Sequence, residues 1–151
     1  MGRAAGEPNG GEIRSYRDLR AWQRAMDLVE AIYQTTANWP QRETYGLAQQ
    51  IRRAAVSVPS NIAEGQGRRG RREYVHALSI ANGSLYEVET QLLVAQRLRY
   101  LPEERCAALL EETAHVGRLP YGLIRRLQNP LPPAASDWMP PADDPDLTTD
   151  D

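Results

Sequence analysis

Lysine is absent from this 151-residue chain, and cysteine occurs once, at Cys106. A single thiol excludes an internal disulfide. With only two histidines beside it, no zinc site of the usual ligand spacing can be assembled, so neither a metal nor another cofactor is expected. Long apolar runs are also missing, which excludes a membrane-spanning helix. The opening residues, MGRAAGEPNGGEIR, contain no apolar core of the kind a secretory signal needs, and Gly6 stands where a myristoylation signal requires Ser or Thr. The expected location is therefore the cytoplasm. There, the match of Asn82-Gly83-Ser84 to a glycosylation pattern is a coincidence of sequence. No segment alternates apolar and polar residues over a convincing length, which argues against strands.

What is present is enough for one core: 41% of the residues are hydrophobic, at a length that suits one domain. The net charge of −2 conceals an uneven distribution. Residues 13–128 carry 17 arginines against 12 acids, a net of +5, whereas residues 129–151 carry six aspartates and no base. The exclusive use of arginine is explained as readily by genome base composition as by function, although arginine does bind phosphate bidentately. The last segment, NPLPPAASDWMPPADDPDLTTDD, has six prolines and is expected to be a disordered acidic tail, with Trp138 either a docking residue or simply exposed. Residues 1–12 are expected to form a flexible head. The folded unit is then 13–128.

Within it the apolar period is helical throughout. Ser15 and Asp18 have capping-box spacing, and Leu19, Trp22, Met26, Val29, Tyr33 and Thr36 follow as one stripe. Leu47, Ile51, Ala54, Val58 and Ile62 form a second, in a helix expected over 43–64 with Pro59 kinking it near Ala55 and Gly65 as its C-terminal stop. The third stripe, Leu78, Ala81, Leu85, Val88, Leu92 and Ala95, alternates steps of three and four without a break. After Leu101-Pro102 a fourth runs through Cys106, Leu109, Thr113, Val116, Pro120, Leu123 and Leu127, with a bend or break predicted at Pro120. Short connections make consecutive helices antiparallel neighbours, so the expected fold is all-α: an up-down-up-down four-helix bundle.

The segments YRDLRAWQRAMDLVEAIYQTT, WPQRETYGLAQQIRRAAVSVPSNIAEG and EYVHALSIANGSLYEVETQL resemble successive motifs of the four-helix-bundle proteins encoded in 23S rRNA intervening sequences. They are also similar to the accessory variability-determinant proteins of diversity-generating retroelements. The resemblance covers residues 16–128, and its most specific part is the Ser-x-x-x-Asn-Ile-Ala-Glu-Gly run from Ser57 to Gly65. It implies a small cytosolic bundle that assembles as a homopentameric ring and binds RNA or DNA through a basic surface. In the retroelement branch it also implies docking on a reverse transcriptase. Pro120, the Pro/Asp tail and the arginines after Gly65 depart from the family pattern.

Residue chemistry gives little support to catalysis. Glu64 has no partner acid, and Ser57, Ser60 and His76 lack a nucleophile elbow and a third member. The run GQGRRG follows a helix and has no Lys-Ser/Thr, so it is not a P-loop. A non-enzymatic protein is expected. Ser57, Asn61, Glu64 and Gly65, with Gly83 and Ser84 on the third helix, read instead as a structural clasp at the end of the second helix. The informative surface feature is a cluster of six arginines, Arg52, Arg53, Arg68, Arg69, Arg71 and Arg72, with Glu64 the only acid between the first and the last. Arg68 and Arg69 suit the C-terminal dipole of a helix, but Arg71 and Arg72 open the next helix, where positive charge is unfavourable. The cluster is either a solvated loop or a phosphate-backbone contact, and the second alternative accounts better for Arg71 and Arg72. Tyr74 either stacks on an exposed base or caps the bundle. Two function classes follow: an oligomeric nucleic-acid-binding protein, or an interaction scaffold with a partner such as a reverse transcriptase.

Overall fold

A computed structural model describes residues 15–68 and 70–128, and the head 1–12, the tail 129–151 and Arg69 lie outside the described residues. Four helices, α1 (Arg20–Thr36), α2 (Leu47–Gly67), α3 (Arg71–Arg97) and α4 (Glu103–Gln128), form an antiparallel bundle in which each packs on its chain neighbour and α4 closes against α1. There is no strand among the described residues.

The capping box at Ser15 and Asp18 does form. The Ser15 hydroxyl accepts from the Arg17 amide at 3.3 Å and the Asp18 carboxylate accepts from the Ser15 amide at 3.2 Å, but the pair caps a 3-10 turn (Tyr16–Asp18) that precedes α1. α2 is started by Glu43, whose carboxylate accepts from the Leu47 amide and from the Tyr100 hydroxyl, both at 2.9 Å. Those bonds, the amide first, hold the Glu43 carboxyl below its ordinary value. α3 ends in a Schellman turn: Tyr100 N–H bonds the Ala95 carbonyl and Arg99 N–H bonds that of Gln96, with Arg99 left-handed at φ 62°. Pro102 follows, and its carbonyl accepts the first bond of α4 from the Cys106 amide.

All six residues of the α3 stripe are buried, as are Ile51, Ala54, Val58 and Ile62 of α2. Each large aliphatic side chain so placed stabilises the fold by about 1.5–3 kcal/mol relative to leaving it exposed. α1 departs from expectation. Its buried face is Ala21, Ala25, Leu28, Ile32 and Thr36, while Met26 and Tyr33 are 42% and 46% exposed and Trp22 and Val29 are half-buried. Two apolar stripes one residue apart run along this helix, rotated by about 100°. The one with small alanines faces inward, because it lets α1 approach α2 and α4 closely. α4 is helical through Pro120, which is buried, so of the expected bend or break the break does not occur; Ile124 completes its core face, with Leu123 and Leu127 at the margin. The helix also continues through Pro59.

Gly65 does not stop α2. It lies inside the helix, buried, two residues before its end. A Cβ there would sit 2.8 Å from Tyr74 Cδ2 and 2.9 Å from Ala77 Cβ, so the missing side chain is what lets α2 and α3 meet. Gly83 plays no such part, since a Cβ on it would meet nothing within 4 Å.

Candidate nucleic-acid interface

Ser57, Asn61 and Ser84 are brought together. Asn61 Nδ2 donates to the Ser57 carbonyl at 2.8 Å and to Ser57 Oγ at 2.9 Å, and Ser84 Oγ donates across from α3 to Ser57 Oγ at 2.8 Å. The group sits mid-helix, about two to three turns before the end of α2 and on either side of Pro59, away from the free carbonyls of the helix terminus. Its hydroxyls satisfy one another between two helices. Glu64 stands apart from it, exposed and paired with Arg68 at 2.6 Å, a bond that raises the Arg68 pKa. Tyr74 packs its ring against Gly65, and burial pushes its phenol up, which answers the choice left open for it in favour of capping the bundle.

Of the six arginines of the linear cluster, Arg69 lies outside the described residues, and the other five do not form one surface. Arg53 in α2 and Arg68, the residue just past its end, are about 22 Å apart along the helix axis. Arg52 is held within the fold, its Nε donating to Thr36 Oγ1 at 2.8 Å and its guanidinium lying 4.8 Å from the centre of the Tyr33 ring. Together with Arg53, Ser57 and Ser60 it lines a groove of about 520 Å3 beside α1. Arg68 and Arg72 line a different one, of about 600 Å3, with Asn61, Glu64 and His76. Arg71 and Arg72 are exposed in the first turn of α3.

What the fold does bring together is a set of arginines that the linear cluster omits. The antiparallel topology places the start of α1, the α2–α3 turn and the end of α4 at one end of the bundle. Arg17, Arg20 and Arg24 come from the first, Arg68, Arg71 and Arg72 from the second, and Arg118, Arg125 and Arg126 from the third. Asp18, Glu64 and Glu73 are the acids among them. The closeness of the first and third groups is direct: Arg20, Arg118 and Arg126 line one groove. His115 lies between Arg24 and Arg118, with a guanidinium nitrogen 3.3 Å from each ring nitrogen. The opposite half carries Glu30, Glu43, Glu87, Glu89, Glu103, Glu104, Glu111 and Glu112 with Arg42, Arg52, Arg53, Arg97, Arg99 and Arg105, so the bundle is electrically polar along its axis.

Helix stability does not account for this arrangement. Both helices that begin at the basic end open with arginine, Arg20 in α1 and Arg71-Arg72 in α3, against the sense of the macrodipole, and α1 has no acid in its first turn. α4, by contrast, starts with Glu103-Glu104 and ends with Arg125-Arg126, as its dipole favours. Among the described residues only Arg68 and Glu64 form an ion pair. The other guanidiniums described at this end have no carboxylate of the described residues within ion-pair distance, and they stand beside helix N-termini whose amides also attract anions. Chain neighbours conceal this grouping, and it emerges only when the four helix ends are set side by side in the fold.

Residues 17–122 match the model of the 23S rRNA-intervening sequence protein family. The chain belongs to that family. A solved structure of a Bacteroides thetaiotaomicron protein of unknown function, from the S23 ribosomal protein family, is 20% identical with a TM-score of 0.63. The match covers 70% of this chain and 98% of that one, and at this identity the likeness is one of fold. No curated protein matches the chain. Among the described residues there is no cluster of potential metal ligands, and no helix is long and apolar enough to cross a membrane.

Proposed function

We propose that this member of the 23S rRNA-intervening sequence family is a non-enzymatic, cytoplasmic nucleic-acid-binding protein that grips RNA or DNA backbone at the basic end of its bundle. The observation that carries the proposal is the convergence there of arginines from three separate chain segments, with one carboxylate partner among the described residues. Guanidinium forks and helix N-termini both suit phosphate, and no feature reads bases in a groove, so the binding is mainly electrostatic. If four or more phosphates are neutralised, log affinity falls against log salt with a slope of about −3 or steeper. Arg71→Glu with Arg72→Glu weakens binding and flattens that slope, whereas Arg53→Glu, on α2 toward the opposite end of the bundle, has a much smaller effect. A flat salt response of the unaltered protein overturns the reading.

The protein acts as a homo-oligomer in this proposal, a pentamer by family resemblance. Met26, Val29 and Tyr33 of α1 and Val56 of α2 line an open groove of about 420 Å3, the apolar strip left outside by the choice of core face on α1. A strip of this kind suits a protein contact, with a second copy as its first occupant. Sedimentation of a monomer at all concentrations would remove this part of the proposal. The same strip favours the second reading, an accessory subunit docking on a reverse transcriptase, which predicts a stable complex that Tyr33→Asp disrupts.

A further inference from the structure

Between α3 and α4 lies a groove of about 460 Å3 with a tyrosine on each wall, Tyr86 from α3 and Tyr121 from α4. Their side chains are held out to solvent, 69% and 57% exposed. The floor is shallow and apolar: Leu85 forms part of it, and Gly117 faces the Leu85 side chain without a Cβ of its own. Asn82 and Glu89 place an amide and a carboxylate on the same lining. Arg118, one turn before Tyr121 on α4, is part of the lining too and is also the arginine beside His115. Only one nitrogen of a neutral imidazole accepts a hydrogen bond, so His115 cannot satisfy both Arg118 and Arg24. At least one of these guanidiniums keeps its donors free of this histidine and open to an outside acceptor.

We propose that this groove is a stacking slot for an unpaired nucleotide, with Tyr86 and Tyr121 taking the base and Arg118 the adjoining phosphate. The proposal rests on the nucleic-acid reading above and narrows it from polyanions in general to single-stranded segments. Two exposed aromatic faces, a cation at one end and a few polar groups for base edges are what a splayed-out base requires. A duplex keeps its bases stacked on one another and offers the tyrosines nothing but backbone. The slot straddles the middle of the bundle, with Tyr121 about 10 Å and Tyr86 about 22 Å from the basic end along their helices, so a strand gripped at that end by its phosphates runs along the α3–α4 face to place a base in it.

The test uses the full chain and a labelled RNA oligonucleotide of about 12 nucleotides, single-stranded or annealed to its complement, with affinity read by fluorescence anisotropy at fixed salt. Tyr86→Ala and Tyr121→Ala each weaken single-strand binding, by roughly 5- to 150-fold, the range that loss of a stacked base produces. Duplex binding changes by less than about two-fold, the stacking loss being confined to unpaired bases. Tyr86→Phe and Tyr121→Phe keep the aromatic face and bind like the unaltered protein. Equal losses for single strand and duplex overturn the proposal, as does no loss for either alanine variant. A change in sedimentation that tracks the loss of affinity also overturns it, because the tyrosines then serve a contact between copies. If the unaltered protein binds duplex but not single strand, the slot alone fails. If it binds neither, the basic-end reading fails with it.

Discussion

Replacing Gly65 and Gly83 by alanine, one at a time, should have opposite effects on stability. In a helix interior alanine is favoured over glycine by about 1 kcal/mol, so a site with free space should gain about that much. Gly83 is such a site, exposed in the middle of α3 with nothing within 4 Å of a built Cβ. At Gly65 the same methyl would approach Tyr74 Cδ2 to 2.8 Å and Ala77 Cβ to 2.9 Å. The tyrosine ring can turn aside, but Ala77 Cβ is fixed to the α3 backbone, so the helices themselves must separate. Overpacking of this kind costs about 1–3 kcal/mol, which cancels or exceeds the gain in propensity. The two variants should therefore differ by about 1–3 kcal/mol in urea denaturation, with Gly83→Ala above the unaltered protein and Gly65→Ala at or below it. Adding Ala77→Gly to Gly65→Ala should recover part of the loss, and the coupling in that double-mutant cycle measures the clash directly. If Gly65→Ala stabilises the protein as much as Gly83→Ala does, the close approach of α2 and α3 at Gly65 is not real, and the glycine would again read as a helix terminator.

Arg99→Gly should raise the melting temperature, because it relieves a left-handed non-glycine residue at a cost of about 1–2 kcal/mol, less what glycine adds to the freedom of the unfolded chain. Asn61→Ala should lower stability by about 1 kcal/mol through loss of its bonds to Ser57, read by thermal melting; an unchanged melt with reduced nucleic-acid affinity would assign Asn61 to binding instead. Glu43, with its folded pKa depressed, stabilises the bundle above its ordinary value of 4.5, and that contribution disappears as pH falls through the lower folded value. Glu43→Gln should remove this part of the acid dependence, and identical acid unfolding curves for the two proteins would contradict the capping role.

How far the sequence discloses this molecule differs from helix to helix. The α3 stripe is legible because one face alone is continuously apolar, so Leu78, Ala81, Leu85, Val88, Leu92 and Ala95 have no competing register, and all are buried. α1 is misread by one position because Trp22, Met26 and Tyr33 outweigh Ala21 and Ala25 in bulk, and periodicity cannot tell which of two adjacent stripes a partner helix will cover. In α4 the apolar pattern correctly places Pro120 in the core, and of the bend or break expected there the break is absent, because one missing N–H does not end a helix held by packing along its length. Of the candidate site residues, Ser57, Asn61 and Ser84 meet as a group, while Glu64, Gly65 and Gly83 stand outside it for the separate reasons of exposure, close packing and open space.

By itself the sequence determined that the chain forms four amphipathic helices joined by short turns, and hence an antiparallel bundle, since apolar period and connection length are local properties. Only the tertiary structure decided which stripe of α1 faces inward, that Gly65 is a contact and not a stop, and where the positive charge gathers. That last decision has a simple physical reason. Arg20, Arg71 and Arg126 are far apart in the chain, and only the folding back of each helix on the last sets them at one end, where their charges add.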